Sequence, residues 1–160
     1  MAEGKSVRIA TIGTSGICQR FLDALASYDG AEYAGAYSRD LARARSFSQE
    51  HGGTLAFDSL EDLCSSPDAD AVYISSPNAA HASQALSLVL AGKHVLVEKS
   101  FVANAREATR VFDAASEQGV VAMEAMRSIH TPGFLAVEET LPQLGEVRLA
   151  QMGFSKVTSR

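Results

Sequence analysis

VRIATIGTSGICQRFLDALASY, Val7 to Tyr28, decides how this chain folds. Val7, Ile9, Ala10 and Ile12 make the short apolar run of a strand covered on both faces. Gly13 ends it. Ile17, Phe21, Ala24, Leu25 and Tyr28 then recur at helical spacing, so the period switches across the turn. A strand that feeds a helix through small residues aims the helix's free N–H groups at one point, and that point suits a phosphate.

The turn itself is a partial dinucleotide fingerprint, whose full form is Gly-x-Gly-x-x-Gly. Gly13 holds the first place, Ser15 the second and Cys18 the third. Ser15 is small enough for a pyrophosphate to approach, and its hydroxyl offers a hydrogen bond. Cys18 is small enough for close helix–strand packing. Gly16 is an additional glycine outside the pattern. Alone, such a turn reads equally as a plain strand–helix connection, so the rest of the chain must decide.

The 160 residues suggest one domain, or one and a piece of another. A hydrophobic fraction of 46% supplies a real core. The net charge is −5 and the basic residues are scattered, which argues against nucleic acid as a partner. Cys18 and Cys64 make no disulfide framework and read as small buried hydrophobes. MAEGKS carries no basic-then-apolar leader, and no apolar run nears the roughly 20 residues of a membrane span. The expectation is a cytoplasmic protein with no membrane partner.

Strand and helix signals then alternate. Asp29-Gly30 ends the first helix, Ala31–Ser38 reads as a strand, and Asp40 caps a helix to about His51. Thr54–Phe57 is a short strand. Asp58 or Ser59 caps a short helix, and Pro67-Asp68 precedes a strand at Ala71–Ser75. Ala82, Ala85, Leu86, Val89 and Leu90 mark the inner face of the next helix. His94–Glu98 is the fifth strand. Asn104 caps a helix with Ala108, Val111, Phe112 and Ala115 inward and Gly119 at its end. Val120–Ala125 is the sixth strand. Repeated strand–helix units with short links predict an α/β fold, a doubly wound parallel sheet of the Rossmann type in the order 3-2-1-4-5-6.

At Thr131-Pro132 the rhythm changes. A helix to about Pro142 and a half-exposed strand over Glu146–Phe154 are expected. Residues 1–125 therefore form a dinucleotide-binding domain, and residues 126–160 read as the incomplete start of a second, α+β domain. The apolar residues between Met123 and Leu149 are expected to be exposed and to drive self-association into a homo-oligomer.

In open α/β sheets ligands bind beyond the carboxyl ends of the strands, where strand order reverses. The chemically informative residues fall there: Gly13 to Gly16 after the first strand, Ser38-Arg39 after the second, Ser76-Pro77-Asn78 after the fourth, Lys99 after the fifth and Arg127 after the sixth. An Asp or Glu after the second strand would select NAD through the ribose 2′-hydroxyl. Here Arg39 pairs with a 2′-phosphate and Ser38 donates to it, which favours NADP over NAD. The competing reading of Arg39 is a solvated surface cation. Glu98 and Lys99 end a buried strand on opposite faces, where a charge must be paired, wetted or used. Lys99 reads either as a surface lysine or as the group that reaches a substrate oxygen. His81 lies in the first turn of a helix with no second metal ligand at helical spacing, so it reads as a local hydrogen bonder or a packing residue. Glu124 and His130 stay open between cleft and loop roles.

Four stretches together, IGTSGI, AYSRD, SPNAAH and VLVEKS, make the chain resemble the N-terminal part of the Gfo/Idh/MocA family, the glucose–fructose oxidoreductase and inositol dehydrogenase group; EAMRSIHTP extends the likeness. The resemblance implies an NAD(P)-dependent oxidoreductase acting on a sugar, polyol or related alcohol. It implies that Gly13, Thr14, Ser15, Gly16 and Ile17 hold the pyrophosphate and that Ser38 and Arg39 hold the adenosine 2′-phosphate. Ser76, Pro77, Asn78 and His81 would lie against the cofactor, with Glu98, Lys99 and Arg127 completing its site. Lys99 would be catalytic and handle the substrate hydroxyl proton. Ser15 and Cys18 depart from the glycine pattern, Ser100 stands where the family has proline, and the family's large C-terminal sheet domain is missing. A non-catalytic nucleotide-binding module and an inactive fragment are the alternatives.

Overall fold

The computed structural model describes residues 6–153. Residues 1–5, on which most of the leader reading rests, lie outside the described residues. The strands are β1 (Val7–Ile12), β2 (Ala31–Tyr37), β3 (Leu55–Phe57), β4 (Ala71–Ile74), β5 (His94–Val97) and β6 (Ala122–Glu124). The helices are α1 (Gly16–Leu25), α2 (Leu41–Glu50), α3 (Leu60–Ser65), α4 (Asn78–Leu90), α5 (Ala105–Gln118) and α6 (Pro132–Thr140). All five strand pairings are parallel and the order is β3-β2-β1-β4-β5-β6, as the alternating pattern predicts. Strand order reverses between β1 and β4.

Period-two alternation divides each central strand between two covers. Ala10, Ile12, Val72, Ile74, Val95 and Val97 pack on one side with Leu88 and Val89 of α4 and Val111 and Ala115 of α5. Ile9, Ala36 and Tyr73 pack on the other with Cys18, Leu22 and Leu25 of α1 and Phe47 of α2. Both faces are dry, which is why these strands read as nearly unbroken apolar runs. β2 approaches β3 so closely that a Cβ on Gly35 would run into the Leu55 carbonyl. At the amino ends, the Arg8 backbone N–H and its guanidinium both donate to Asp70, which ties β1 to β4.

The inner faces of three helices differ from the expected ones. α1 stops at Leu25, so Tyr28 lies in the following turn and is exposed; Cys18 and Leu22 are the buried residues beside Leu25. On α4, Leu88 is buried and Leu90 faces solvent. On α5, Ala114 takes the place read for Phe112, whose ring is half exposed and stacks on Phe101 at 5.1 Å. In each case apolar residues occupy two adjacent faces, and the packing partner selects between them.

The contacts divide the chain into two units, between Ala125 and Met126. The second unit contains a 3-10 turn at Arg127–His130, α6 capped by Thr131, and a 3-10 turn at Leu141–Leu144. The helix expected to reach Pro142 thus ends at Thr140. The strand expected from Glu146 does not form over 146–153; its last residue, Phe154, lies outside the described residues. A strand needs a partner for its backbone groups, and the described residues of this unit contain none. Phe134, Leu135 and Val137 of α6 are exposed. Among the described residues, no helix is long and apolar enough to cross a membrane.

Candidate functional site

The carboxyl ends of β1, β2 and β4 are stitched together. The Gly13 N–H donates to the Tyr37 carbonyl at 3.3 Å. Ser75 donates twice to the Ile12 carbonyl, from its N–H at 2.8 Å and from its hydroxyl at 3.0 Å. Beyond them opens a cleft of about 470 Å³, a volume typical of small-ligand sites. Gly13, Thr14 and Ser15 form one wall, Tyr37, Ser38, Arg39 and Arg43 a second, and Ser75, Ser76, Pro77, Ala80 and Gln84 a third.

Gly13 has φ +110°, and an added Cβ would stand 2.6 Å from the Ser75 hydroxyl oxygen and 3.1 Å from its carbonyl. The position therefore requires glycine both for its backbone and for space. Gly13→Ala is expected to cost roughly 1–3 kcal/mol of stability. Gly16→Ala, where nothing lies within 4 Å of the new methyl, is expected to change it by less than about 0.5 kcal/mol. Urea unfolding of the two variants side by side checks this, and equal losses would contradict it.

The helices differ in how their first turns are capped. Asp40, Ser59, Asn104 and Thr131 each accept an N–H in the first turn of α2, α3, α5 and α6. α1 and α4 have no such side-chain cap. Their N-termini border the cleft, through Ser15 and through Pro77 and Ala80, as does the capped first turn of α2 through Arg43. First-turn N–H groups left without an internal acceptor are suited to an anion.

The second wall is cationic. Asp40 is taken up by capping, its Oδ1 accepting from the Arg43 N–H at 3.2 Å, while the Ser38 hydroxyl accepts from the Asp40 N–H at 3.3 Å. Arg39 and Arg43 have no ion-pair partner among the described residues. Arg43 was missed by sequence reading. Its signal is the capping residue three positions earlier, which fixes the first turn beside the rim.

Of the other sequence-predicted residues, Gly16 and Ile17 are in the first turn of α1, and Asn78 opens α4. None of the three lines the cleft, and neither do His81, Glu98 or Lys99. His81 is fully buried, with Nε2 2.8 Å from the Ser76 carbonyl oxygen and Nδ1 2.8 Å from that of Ser100. Glu98 accepts from the Tyr73 hydroxyl at 2.7 Å. Burial, and then that bond to Glu98, pushes the Tyr73 phenol up, so it stays a donor. Lys99 is exposed one residue further on, and the peptide joining it to Ser100 is cis. Glu124 Oε1 accepts from the Phe101 N–H at 2.8 Å. Arg127 and His130 belong to the 3-10 turn of the second unit. Burial pushes the Cys18 thiol up, which suits the packing role read for it. Among the described residues no group of three His, Cys, Asp or Glu can hold a metal ion.

Residues 7–126 match the model of an oxidoreductase family with the NAD-binding Rossmann fold, designated GFO_IDH_MocA. The chain is 39% identical over 154 residues to scyllo-inositol 2-dehydrogenase (NADP(+)) IolU of Bacillus subtilis, covering 96% of this chain and 47% of that protein. It is 32% identical over 153 residues to the trans-1,2-dihydrobenzene-1,2-diol dehydrogenase of Mus musculus, covering 93% and 46%. Among solved structures, the 3-ketoreductase KijD10 from Actinomadura kijaniata, in complex with TDP-benzene and NADP, superposes with a TM-score of 0.80 at 32% identity, over 87% of this chain and 44% of that one. The chain spans about half the length of the curated relatives it matches.

Proposed function

This chain belongs to the Gfo/Idh/MocA family of oxidoreductases, and from that premise we propose that it binds NADP along the β1–β2–β4 rim and serves hydride transfer to or from a carbon bearing a hydroxyl or carbonyl group on a sugar or polyol. The observation that carries the proposal is the cleft in which Gly13 and two helix N-termini without side-chain caps face Ser38, Arg39 and Arg43.

The fit of a dinucleotide follows from the residues present. The absence of a side chain at Gly13 lets the β1–α1 turn pack directly against Ser75 at the floor of the cleft. The free N–H groups of the first turn of α1 hold the pyrophosphate. Arg39 and Arg43, with the Ser38 hydroxyl, hold a 2′-phosphate, and a cationic wall disfavours nothing in that group. When bound, the nicotinamide supplies or takes the hydride. Lys99, at the end of β5, takes the proton of the substrate hydroxyl in one direction and returns it in the other. Ser76 and Pro77 wall the cleft on the side toward Lys99, since β4 and β5 are neighbours in the sheet. The relatives named above, acting by their names on an inositol and on a dihydrodiol, support a polyhydroxylated or cyclic alcohol as substrate. The exposed apolar side chains of α6 support self-association as part of the same reading.

Parallel calorimetric titrations with NADPH and NADH test the proposal. NADPH is expected to bind at least about tenfold more tightly, as one charge-assisted contact of roughly 1.5–3 kcal/mol requires. Tighter binding of NADH, or no binding of either, would overturn it.

A further inference from the structure

The segment that follows Lys99 is held by its backbone. The peptide group between Ser100 and Phe101 has two polar ends, and each meets a side chain from a different element. Its carbonyl oxygen, on Ser100, lies 2.8 Å from His81 Nδ1 of α4. Its N–H, on Phe101, donates to Glu124 Oε1 of β6 at 2.8 Å. The other ring nitrogen of His81 lies 2.8 Å from the carbonyl of Ser76, a residue of the cleft wall. His81 is 0% exposed and the Phe101 ring is buried against α5.

From this geometry we infer that His81 and Glu124 are positioning residues for Lys99: together they fix the Ser100–Phe101 peptide plane, and His81 ties that plane to the cofactor-side turn at Ser76. The inference rests on the reading of Lys99 given above.

A packing role alone does not account for the arrangement. A histidine chosen to fill volume needs no carbonyl at either nitrogen, and burial of the ring penalises any nitrogen left without a partner. A neutral ring donates to one of the two carbonyls and only an imidazolium donates to both, so it is with both nitrogens protonated that the ring is anchored between two loops rather than within its own helix. Glu124 contributes a charge-assisted acceptor at the end of an edge strand, where an apolar residue would satisfy the sheet equally well. The two side chains approach from α4 and from β6, so the peptide plane cannot tilt about either bond without breaking the other. What this fixes is the starting point of the Lys99 side chain. A displacement of about 1 Å at a reacting group can lower a rate about 10²-fold.

The test uses the chain with 13Cε-labelled lysine, the Lys99 signal being assigned with Lys99→Arg, and reads three quantities: NADPH affinity, exchange of the Phe101 amide, and the response of the Lys99 resonance to NADPH. Where turnover is measurable, kcat and KM are followed in parallel. Glu124→Ala and His81→Leu are expected to expose the Phe101 amide or the Ser100 carbonyl, to abolish the Lys99 response and to lower kcat about 10–100-fold, with NADPH affinity within about threefold in Glu124→Ala. Glu124→Gln keeps an oxygen that accepts from Phe101 and is expected to restore the response. If His81→Leu fails to fold, Glu124→Ala decides. A Lys99 response that survives in Glu124→Ala, with the Phe101 amide exchanging freely, would overturn the inference alone. A wild-type chain whose Lys99 resonance ignores bound NADPH would sink the reading of Lys99, and the inference with it.

Discussion

Arg39→Asp is expected to weaken NADPH binding about 100-fold while leaving NADH within about threefold of wild type, so that the coenzyme preference inverts. The variant removes a charge-assisted contact worth roughly 1.5–3 kcal/mol. It also sets a carboxylate against a phosphate that carries about −1.5 to −2 charges. NADH lacks that phosphate, and the new carboxylate can accept from its ribose hydroxyl in the manner of NAD-selective folds. Arg43→Ala is expected to show a smaller loss, about tenfold, because Arg39 remains. Both side chains are exposed, so the difference must shrink as salt is raised from low ionic strength to 0.5 M. Isothermal titration at two salt concentrations reads all of this. An Arg39→Asp variant that still prefers NADPH would show that the β2 wall does not contact the 2′-position, and the choice of NADP over NAD would lose its physical basis.

The parts of this fold that were legible in the sequence are those decided locally. A βα turn, a capping Asp40 and a strand bounded by Pro67-Asp68 depend on neighbours in the chain, and six such units leave little freedom in how a parallel sheet is wound. Asp40 illustrates the gain: once it is recognised as the cap of α2, it drops out as a candidate ribose acceptor, and Arg39 beside it becomes the informative residue. The face of a helix is a weaker inference. In α4 the run Leu86, Leu88, Val89 and Leu90 offers apolar residues on overlapping faces, and a rotation of one or two positions exchanges Leu88 with Leu90. The sheet beneath makes that choice.

Long-range contacts explain what was missed in the site. Ser75 reads as the last residue of a strand, but its hydroxyl reaches Ile12 on the neighbouring strand, a bond visible only in the register of β1 against β4. Gln84 lies two turns into α4 yet reaches the rim, where its Oε1 accepts from the Ser76 hydroxyl at 2.6 Å. His81 was legible as a hydrogen bonder and not as a bridge, because its second partner, Ser100, is 19 positions away. Glu98 shows the converse. The family resemblance implied a place for it in the cofactor site, and the bond from Tyr73 supplies a structural reason for its charge at a strand end.

Lys99→Ala is expected to lower the rate of hydride transfer by about 10²–10⁴-fold, the range attributed to a positioned general acid or base, with the NADPH dissociation constant unchanged within about twofold. The separation follows from position. Lys99 is not among the residues that line the β1–β2–β4 cleft, so its removal leaves the pyrophosphate turn and the cationic wall intact. It stands instead at the end of β5, one strand further along the sheet than Ser75 and Ser76. Lys99→Arg sharpens the test. A guanidinium keeps the positive charge and the reach but does not release a proton near neutral pH. If Lys99 acts only by attracting an oxygen, Arg should retain most of the rate; if it moves a proton, Arg should be nearly as slow as Ala, and that is the expected result. Single-turnover absorbance of the nicotinamide with a saturating polyol gives the rate free of product release. A Lys99→Ala chain that transfers hydride at more than about a third of the wild-type rate would show that the amine moves no proton in this reaction, and would leave the rim as a nucleotide-binding device whose chemistry lies elsewhere.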